Sequence, residues 1–77
     1  MNILELKEFD KEHVVYMYQP EGKGEHGEVL YTFADGEAKI TKRAGENSNW
    51  HDNKAKMKVE ECVKKNNLPI KFTQAWY

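Results

Sequence analysis

The sequence predicts a small α+β domain: a four-stranded antiparallel meander, one helix packed on one sheet face, and then a fifth C-terminal strand (β-β-β-β-α-β). Four runs of alternating apolar and polar residues come first along the chain, which is typical of half-buried strands. A single stretch with helical spacing follows, and one more strand-like run ends the chain. The 77 residues contain no linker or repeat, so residues 1–77 form a single domain.

Asp35 and Gly36 predict the turn of a β-hairpin, because both residue types tolerate the positive φ angles of a two-residue type I′ turn. With this turn, Phe33 faces Ala38 across the hairpin. Side chains alternate between the two faces of a strand, so Tyr31 and Phe33 share one apolar face. We expect both rings in the core beneath the helix, and not on a platform for a partner.

The two earlier strands extend the same apolar face. The run at 2–9 turns at 10–12 and pairs with the run at 13–19, which then pairs with 28–34. The predicted cross-strand neighbours are Leu4–Tyr18, Leu6–Tyr16, Tyr18–Val29, Tyr16–Tyr31, Val14–Phe33 and Tyr31–Ile40. All four strands agree on this face, and a one-residue slip would invert every side chain, so the agreement supports the assignment.

Residues 49–67 predict the helix. Cap-type residues open the stretch, and an asparagine pair before Leu68 and Pro69 ends it. The apolar side chains that fall on one stripe at about 100° per residue are Ala55, Val59, Cys62 and Val63. Trp50 either lies inside the helix or precedes it and folds back as a lid on the core.

Residues 70–77 predict the fifth strand, with Ile70, Phe72 and Trp76 on one side. This strand either runs antiparallel beside the first strand or parallel beside the fourth. We favour the antiparallel position, because the parallel one requires a right-handed crossover.

Cysteine usage and hydropathy predict a cytoplasmic protein without metal or cofactor. The lone Cys62 excludes an intramolecular disulfide, and no cluster of cysteine and histidine has the spacing of metal ligands. The chain also lacks an apolar N-terminal run and any stretch long enough to span a bilayer. A core this small supplies little stability, so association with a second chain is the expected support.

The formal net charge of −1 hides an uneven distribution. Residues 1–37 carry nine acids and three bases, a balance of −6, and residues 38–77 carry nine bases and four acids, a balance of +5. In a single domain the two portions can interleave in space and neutralise each other. We favour this interpretation, because no five consecutive residues carry like charge.

The sequence predicts no catalytic site. Cys62 falls on the buried stripe, where a thiol is usually inert, and the spacing of His13, His26 and His51 does not favour a general base. The glycine-rich run at 22–27 lacks the spacing of a phosphate-binding loop and joins two strands.

We predict a non-enzymatic protein-interaction domain that forms a homodimer or holds another protein. Val15, Met17 and Leu30 are expected to lie together on the outer sheet face, and grouped apolar residues on a surface are typical of an interface. Trp50 and Met57 mark a second candidate contact, on the helix.

The alternative prediction is a nucleic-acid-binding module. Its candidate residues form a basic edge: Lys39, Lys42, Arg43, Lys54 and Lys58. The pI of about 6.3 lies well below that of most domains that bind phosphate backbones, so we place this function second.

Overall fold

A computed structural model describes residues 1–76 of the chain. Five strands form one sheet: β1 (Asn2–Phe9), β2 (His13–Pro20), β3 (Gly27–Thr32), β4 (Glu37–Lys42) and β5 (Lys71–Gln74). Helix α1 (Asn49–Lys64) lies between β4 and β5 in the chain and packs on one sheet face. Neighbouring strands are antiparallel, in the order β4-β3-β2-β1-β5. The predicted class and element order are confirmed.

The β1–β2 hairpin follows the predicted register over most of its length. The confirmed pairs are Leu4–Tyr18 and Leu6–Tyr16. At the turn, the Asp10 carboxylate accepts hydrogen bonds from the backbone N–H groups of Glu12 at 2.8 Å and His13 at 2.9 Å. These two bonds lower the pKa of Asp10, with the bond from Glu12 as the larger cause, and they fix the turn in place.

A β-bulge interrupts β1 before that turn. Lys7 is the extra residue, and after it Glu8 pairs with Val15 and Phe9 pairs with Val14. Simple alternation along β1 would put Phe9 on the outer sheet face. Residues directly opposite each other share a face, so the bulge instead brings Phe9 to the core side with Val14.

The pairing of β3 with both neighbours differs from the predicted register by two residues. The observed pairs are Tyr18–Gly27, Tyr16–Val29, Val14–Tyr31 and Tyr31–Ala38, in place of Tyr18–Val29, Tyr16–Tyr31, Val14–Phe33 and Tyr31–Ile40. The β3–β4 loop contains four residues, 33–36, where the Asp-Gly pattern predicted a two-residue turn. A shift of two leaves each side chain on its expected face, so the core face is correct although these pairs were wrong.

Phe33 lies outside the core, contrary to the prediction. It begins the β3–β4 loop and remains 47% exposed, whereas Tyr31 is buried as expected. The two rings meet edge to face with 5.4 Å between their centroids. The backbone N–H of Phe33 donates to the Glu12 carbonyl at 3.0 Å, so the chain leaves β3 toward the β1–β2 turn, and the ring stays partly exposed there.

The core lies between α1 and the sheet. Its largest fully buried side chains are Tyr16, Tyr18, Leu4, Val14, Val29 and Val59. The Tyr16 hydroxyl donates to the Pro69 carbonyl at 2.6 Å, which satisfies the one polar atom of that ring. Burial raises the pKa of Tyr16 to about 12.

The helix begins where predicted and ends slightly early, at Lys64. Asn66 has a φ of 54° and provides the left-handed residue that closes many helices, while the Asn67 N–H donates to the Cys62 carbonyl at 2.9 Å. The predicted stripe is confirmed: Ala55, Val59 and Cys62 are buried, and Val63 packs against them. Trp50 lies inside the helix, in its first turn, and is not a lid on the core.

Strand β5 runs antiparallel beside β1, as favoured. Phe72 packs edge to face on Tyr16, with 5.9 Å between the ring centroids. Ile70, which was expected to share the buried side of this strand, precedes it and is 74% exposed. Trp76 follows the strand and meets the His51 ring at 5.4 Å. Tyr77 lies outside the described residues.

We expect Gly27→Ala to destabilise the fold. A Cβ at this position would clash with the ring of the buried Tyr18, and that ring is held by the hydrogen bond from its hydroxyl to Asp52. Overpacking of this kind costs about 1–3 kcal/mol. Urea unfolding followed by circular dichroism measures the change in the free energy of unfolding.

Gly45→Ala is the matched control, because the described residues leave open space around the position of its Cβ. Its free energy of unfolding should change by less than about 0.5 kcal/mol. Equal effects of the two substitutions would contradict the close packing of Tyr18 on Gly27.

Candidate functional site

The outer sheet face carries a diagonal strip of apolar side chains, which we call the outer strip: Ile3, Val15, Met17 and Leu30. Val15 pairs directly with Leu30 across β2 and β3, and Met17 lies diagonal to both Ile3 and Leu30. Val15 is only 8% exposed, and the other three are half-buried. The single helix within residues 1–76 packs on the opposite face, so the three predicted residues Val15, Met17 and Leu30 meet on an uncovered surface.

Charged side chains of both signs border the outer strip. Lys7 Nζ lies 3.1 Å from Glu28 Oε1, and this pair spans β2 because the two residues belong to β1 and β3. Glu5 pairs with Lys71, and Glu28 pairs with Lys42. The aliphatic parts of such long side chains shield apolar neighbours, which explains the low exposure of Val15.

Trp50 and Met57 lie on the opposite side of the molecule. Each is 59% exposed, and they stand seven residues apart on the side of α1 that faces away from Val59. Lys54 Nζ lies 4.8 Å from the centroid of the Trp50 ring, a cation–π contact. We call Trp50, Lys54 and Met57 the helix stripe. The five predicted interface residues therefore form two separate surfaces.

A polar cluster around the buried Asp52 connects α1 to the sheet. The Asp52 carboxylate accepts a hydrogen bond from the Tyr18 hydroxyl and lies 2.9 Å from Arg43 Nε. Arg43 also donates to the Asn49 side chain at 2.6 Å and to the Glu46 carbonyl at 3.1 Å. The cluster satisfies an acid that is only 5% exposed, so its role is to position the helix.

Two opposing effects set the ionisation of this cluster. Burial alone would raise the pKa of Asp52, but hydrogen bonds from Tyr18 and Arg43 outweigh burial and lower it. Burial, followed by the bond to the carboxylate, raises the pKa of Tyr18. Tyr18 is thus a neutral donor to an ionised Asp52 at neutral pH.

Sequence reasoning missed this cluster, although one signal was present. Asp52 lies three and seven residues before Ala55 and Val59, so it shares their buried stripe. An acid on an apolar stripe requires a charged or hydroxyl partner, and Arg43 is the partner that the prediction assigned to nucleic acid.

The predicted basic edge does not form one surface. Three of its residues face carboxylates: Lys42 with Glu25 at 3.9 Å, Arg43 with Asp52 at 2.9 Å and Lys58 with Glu61 at 3.3 Å. Lys39 lies on the sheet beside Leu30, and Lys54 belongs to the helix stripe. The five candidates are thus spread over the sheet, the β4–α1 connection and the helix.

The histidines lie far apart or are paired with acids. His13 begins β2 and its Nε2 lies 3.3 Å from Glu8 Oε1. The His51 Nε2 lies 2.9 Å from Glu21 Oε2 near the other end of β2, roughly 20 Å away by the rise of an eight-residue strand. His26 is in the exposed β2–β3 loop. The structure therefore does not gather the three rings into one site.

A groove of about 310 Å³ lies between the β2–β3 loop and the β4–α1 connection. Its lining includes Ser48, whose hydroxyl is the type of group that acts as a nucleophile, and His51, whose ring is the type that acts as a general base. The Ser48 hydroxyl donates to the Gly45 carbonyl at 2.7 Å, and His51 is bonded to Glu21. Both groups are thus engaged in holding the loops together.

The Cys62 thiol faces the core, as predicted, and burial raises its pKa. Within residues 1–76, no group of three or more acidic, histidine or cysteine side chains is arranged to bind a metal ion. The helix in this part of the chain is neither long nor apolar enough to cross a bilayer.

Comparison with known proteins found no matching family model, no matching curated protein and no matching solved structure.

We expect Asp52→Asn to be less stable than the wild type at neutral pH, by about 1.5–3 kcal/mol for a lost charged hydrogen bond. The difference should shrink in acid. The folded pKa of Asp52 is below its ordinary 3.8, so the unfolded chain binds the proton more tightly. The stabilisation is therefore complete above 3.8 and is lost as the pH falls through the lowered folded value.

Urea unfolding of both proteins across this pH range provides the measurement. Glu61→Gln is the control: its pKa is also lowered, first by Lys65 and then by Lys58, but the pairs are exposed to solvent. It should have little effect at any pH. A difference between the wild type and Asp52→Asn that does not change with pH would contradict the assigned ionisation.

Proposed function

We propose that the chain is a non-enzymatic protein-interaction domain that forms a homodimer through the outer strip. One observation carries the proposal: Ile3, Met17 and Leu30 form a continuous apolar diagonal on a sheet face that the helix does not cover. Apolar residues grouped on an otherwise charged surface are characteristic of protein contacts.

Charge favours a second copy as the partner. A two-fold interface places the same patch on both sides, so the patch must complement itself. The outer strip is bordered by three acids and four bases: Glu5, Glu8, Glu28, Lys7, Lys39, Lys42 and Lys71. A second copy rotated by a half turn brings acids opposite bases without a large excess of either sign.

The energetics favour a reversible dimer. Val15 is only 8% exposed in the single chain, so association buries little more of it. The gain in buried apolar area comes from the half-buried Ile3, Met17 and Leu30. For a 77-residue chain even a modest gain matters, because domains of this size have small cores.

We expect Met17→Lys and Met17→Glu each to abolish the dimer. Either charge would be buried at the centre of the contact. The lysine variant is the sharper test, because its neighbours across β1 and β3 are Glu5 and Glu28, which stabilise a lysine in the free chain. Size-exclusion chromatography with light scattering gives the mass, and a dimer has twice 9.0 kDa.

Asn67→Glu is the control, since Asn67 is exposed in the connection after α1 and lies off the outer face. It should leave the dimer intact. A dimer whose dissociation constant is the same in the wild type and in both Met17 variants would refute the outer strip as the interface. Absorbance at 260 nm in the same run tests the alternative, because co-purified nucleic acid would raise it.

A further inference from the structure

Three strongly exposed apolar side chains lie at one end of the molecule. They are Phe9 at 62%, Phe33 at 47% and Ile70 at 74% exposure. The hydrogen bond from Phe33 N–H to the Glu12 carbonyl joins the β3–β4 loop to the β1–β2 turn at this end. We call these three residues the turn shelf.

The register places the turn shelf on the helix side of the sheet. Phe9 is opposite the buried Val14, and the Phe33 ring contacts Tyr31. Ile70 lies beside Leu6, whose N–H donates to the Ile70 carbonyl at 2.7 Å. The turn shelf thus continues the core face beyond the part that α1 covers, and it is separate from the outer strip.

Acids surround the turn shelf. The exposed charged residues of the two turns are Asp10, Lys11, Glu12 and Asp35, three acids and one base. Backbone hydrogen bonds lower the pKa of Asp10, so that carboxylate keeps its charge. The two hydrogen-bonded turns therefore present a fixed apolar surface with an acidic border.

The helix stripe has the opposite character. Its Trp50 and Met57 are the other strongly exposed large apolar residues of the described chain apart from Met1. Lysines dominate its surroundings: Lys54, Lys56, Lys58, Lys64 and Lys65, with Glu61 shared between Lys58 and Lys65. The helix stripe is therefore an apolar surface with a basic border.

Acids and bases of the two portions do meet across the sheet, where Glu5 pairs with Lys71 and Glu28 with Lys42, but none of these contacts involves the turn shelf or the helix stripe. Within residues 1–76, one lysine–carboxylate pair, Lys42–Glu25 at 3.9 Å, links the acidic portion of the chain to the basic portion, besides the His51–Glu21 contact. The acids of the turn shelf and the lysines of the helix stripe stay available to a partner.

The two surfaces also match in size. Trp50 and Met57 are separated by two helical turns, a span of about 10 Å. Phe9 lies two strand spacings from Tyr31, and Phe33 follows two residues later, so Phe9 and Phe33 are about 12 Å apart. Each surface therefore offers two large apolar side chains, and the separation within each pair is similar.

We propose that the turn shelf of one copy receives the helix stripe of a second copy, head to tail. Trp50 and Met57 would pack on Phe9 and Phe33, with helix lysines facing turn acids. This contact goes beyond the outer-strip dimer, because its two sides are different surfaces. A heterologous contact leaves a free shelf at one end and a free stripe at the other, so it builds rings or chains.

A mixing experiment tests the contact. All proteins carry Met17→Lys, which removes the outer-strip contact and makes the result independent of whether that dimer exists. One variant adds Phe9→Ser with Phe33→Ser, and the other adds Trp50→Ser with Met57→Ser. All four side chains are exposed, and circular dichroism verifies that both variants stay folded. Light scattering is recorded at increasing protein concentration.

The parent protein should assemble beyond the monomer, and each variant alone should remain monomeric. An equimolar mixture of the two should form a single complex of twice 9.0 kDa, because one intact shelf meets one intact stripe. Raising the salt concentration should weaken this complex, since screening reduces contacts between exposed charges.

A charge control sharpens the result. Lys54→Glu should weaken the association by about tenfold or more, whereas Lys23→Glu makes the same charge change in the exposed β2–β3 loop and should not. A parent that stays monomeric, a variant that self-associates like the parent, or a mixture without the complex would each overturn the proposal.

Discussion

The buried carboxylate of Asp52 is the group on which the arrangement of helix and sheet depends. It lies in the first turn of α1 and binds Tyr18 from β2 and Arg43 from the segment after β4. A buried carboxylate that lost these partners would carry an uncompensated charge, so the three elements must stay together. Gly27 belongs to the same constraint, because the Tyr18 ring reaches Asp52 across the space where a side chain would be.

The course of the helix follows from this attachment. Side-chain amides of Asn2 and Gln74 donate to backbone carbonyls in the first turns of α1, which fixes the same helix end over β1 and β5. Toward the other end, Glu60 accepts a hydrogen bond from the Ala38 N–H at 2.9 Å and caps a donor on the edge strand β4. A 16-residue helix is about 24 Å long. It runs from the sheet end that holds Asn2 to the start of β4, and it leaves Phe9 and Phe33 exposed.

The sequence predicted which sheet face each strand residue lies on better than it predicted which residues pair across the strands, and the reason is geometric. Alternation has a period of two, so the same pattern fits registers that differ by two residues, and the Asp-Gly signal was not strong enough to choose between them. The bulge at Lys7 left no mark in the pattern of alternating residues, which is why the position of Phe9 was not foreseen.

Apolar character alone predicted burial for Phe33 and Ile70, but burial depends on where the helix ends. The cluster around Asp52 required weighing a polar residue on an apolar stripe, which a count of hydrophobic periodicity ignores.

The separation of charge has a structural cause as well. Acids concentrate in the strands and turns of the first half of the chain, and the lysines concentrate on the helix. The attachments at Asp52 and Asn2 hold the start of the helix at the end of the sheet opposite the β1–β2 turn, and the lysine–carboxylate pairs that α1 forms within residues 1–76 lie along its own surface, with Glu61. The net charge of −1 means that copies do not repel one another strongly as whole bodies. In the proposed head-to-tail contact, regions of opposite sign on different surfaces would set the orientation of approach, and the apolar residues within each region would supply the contact.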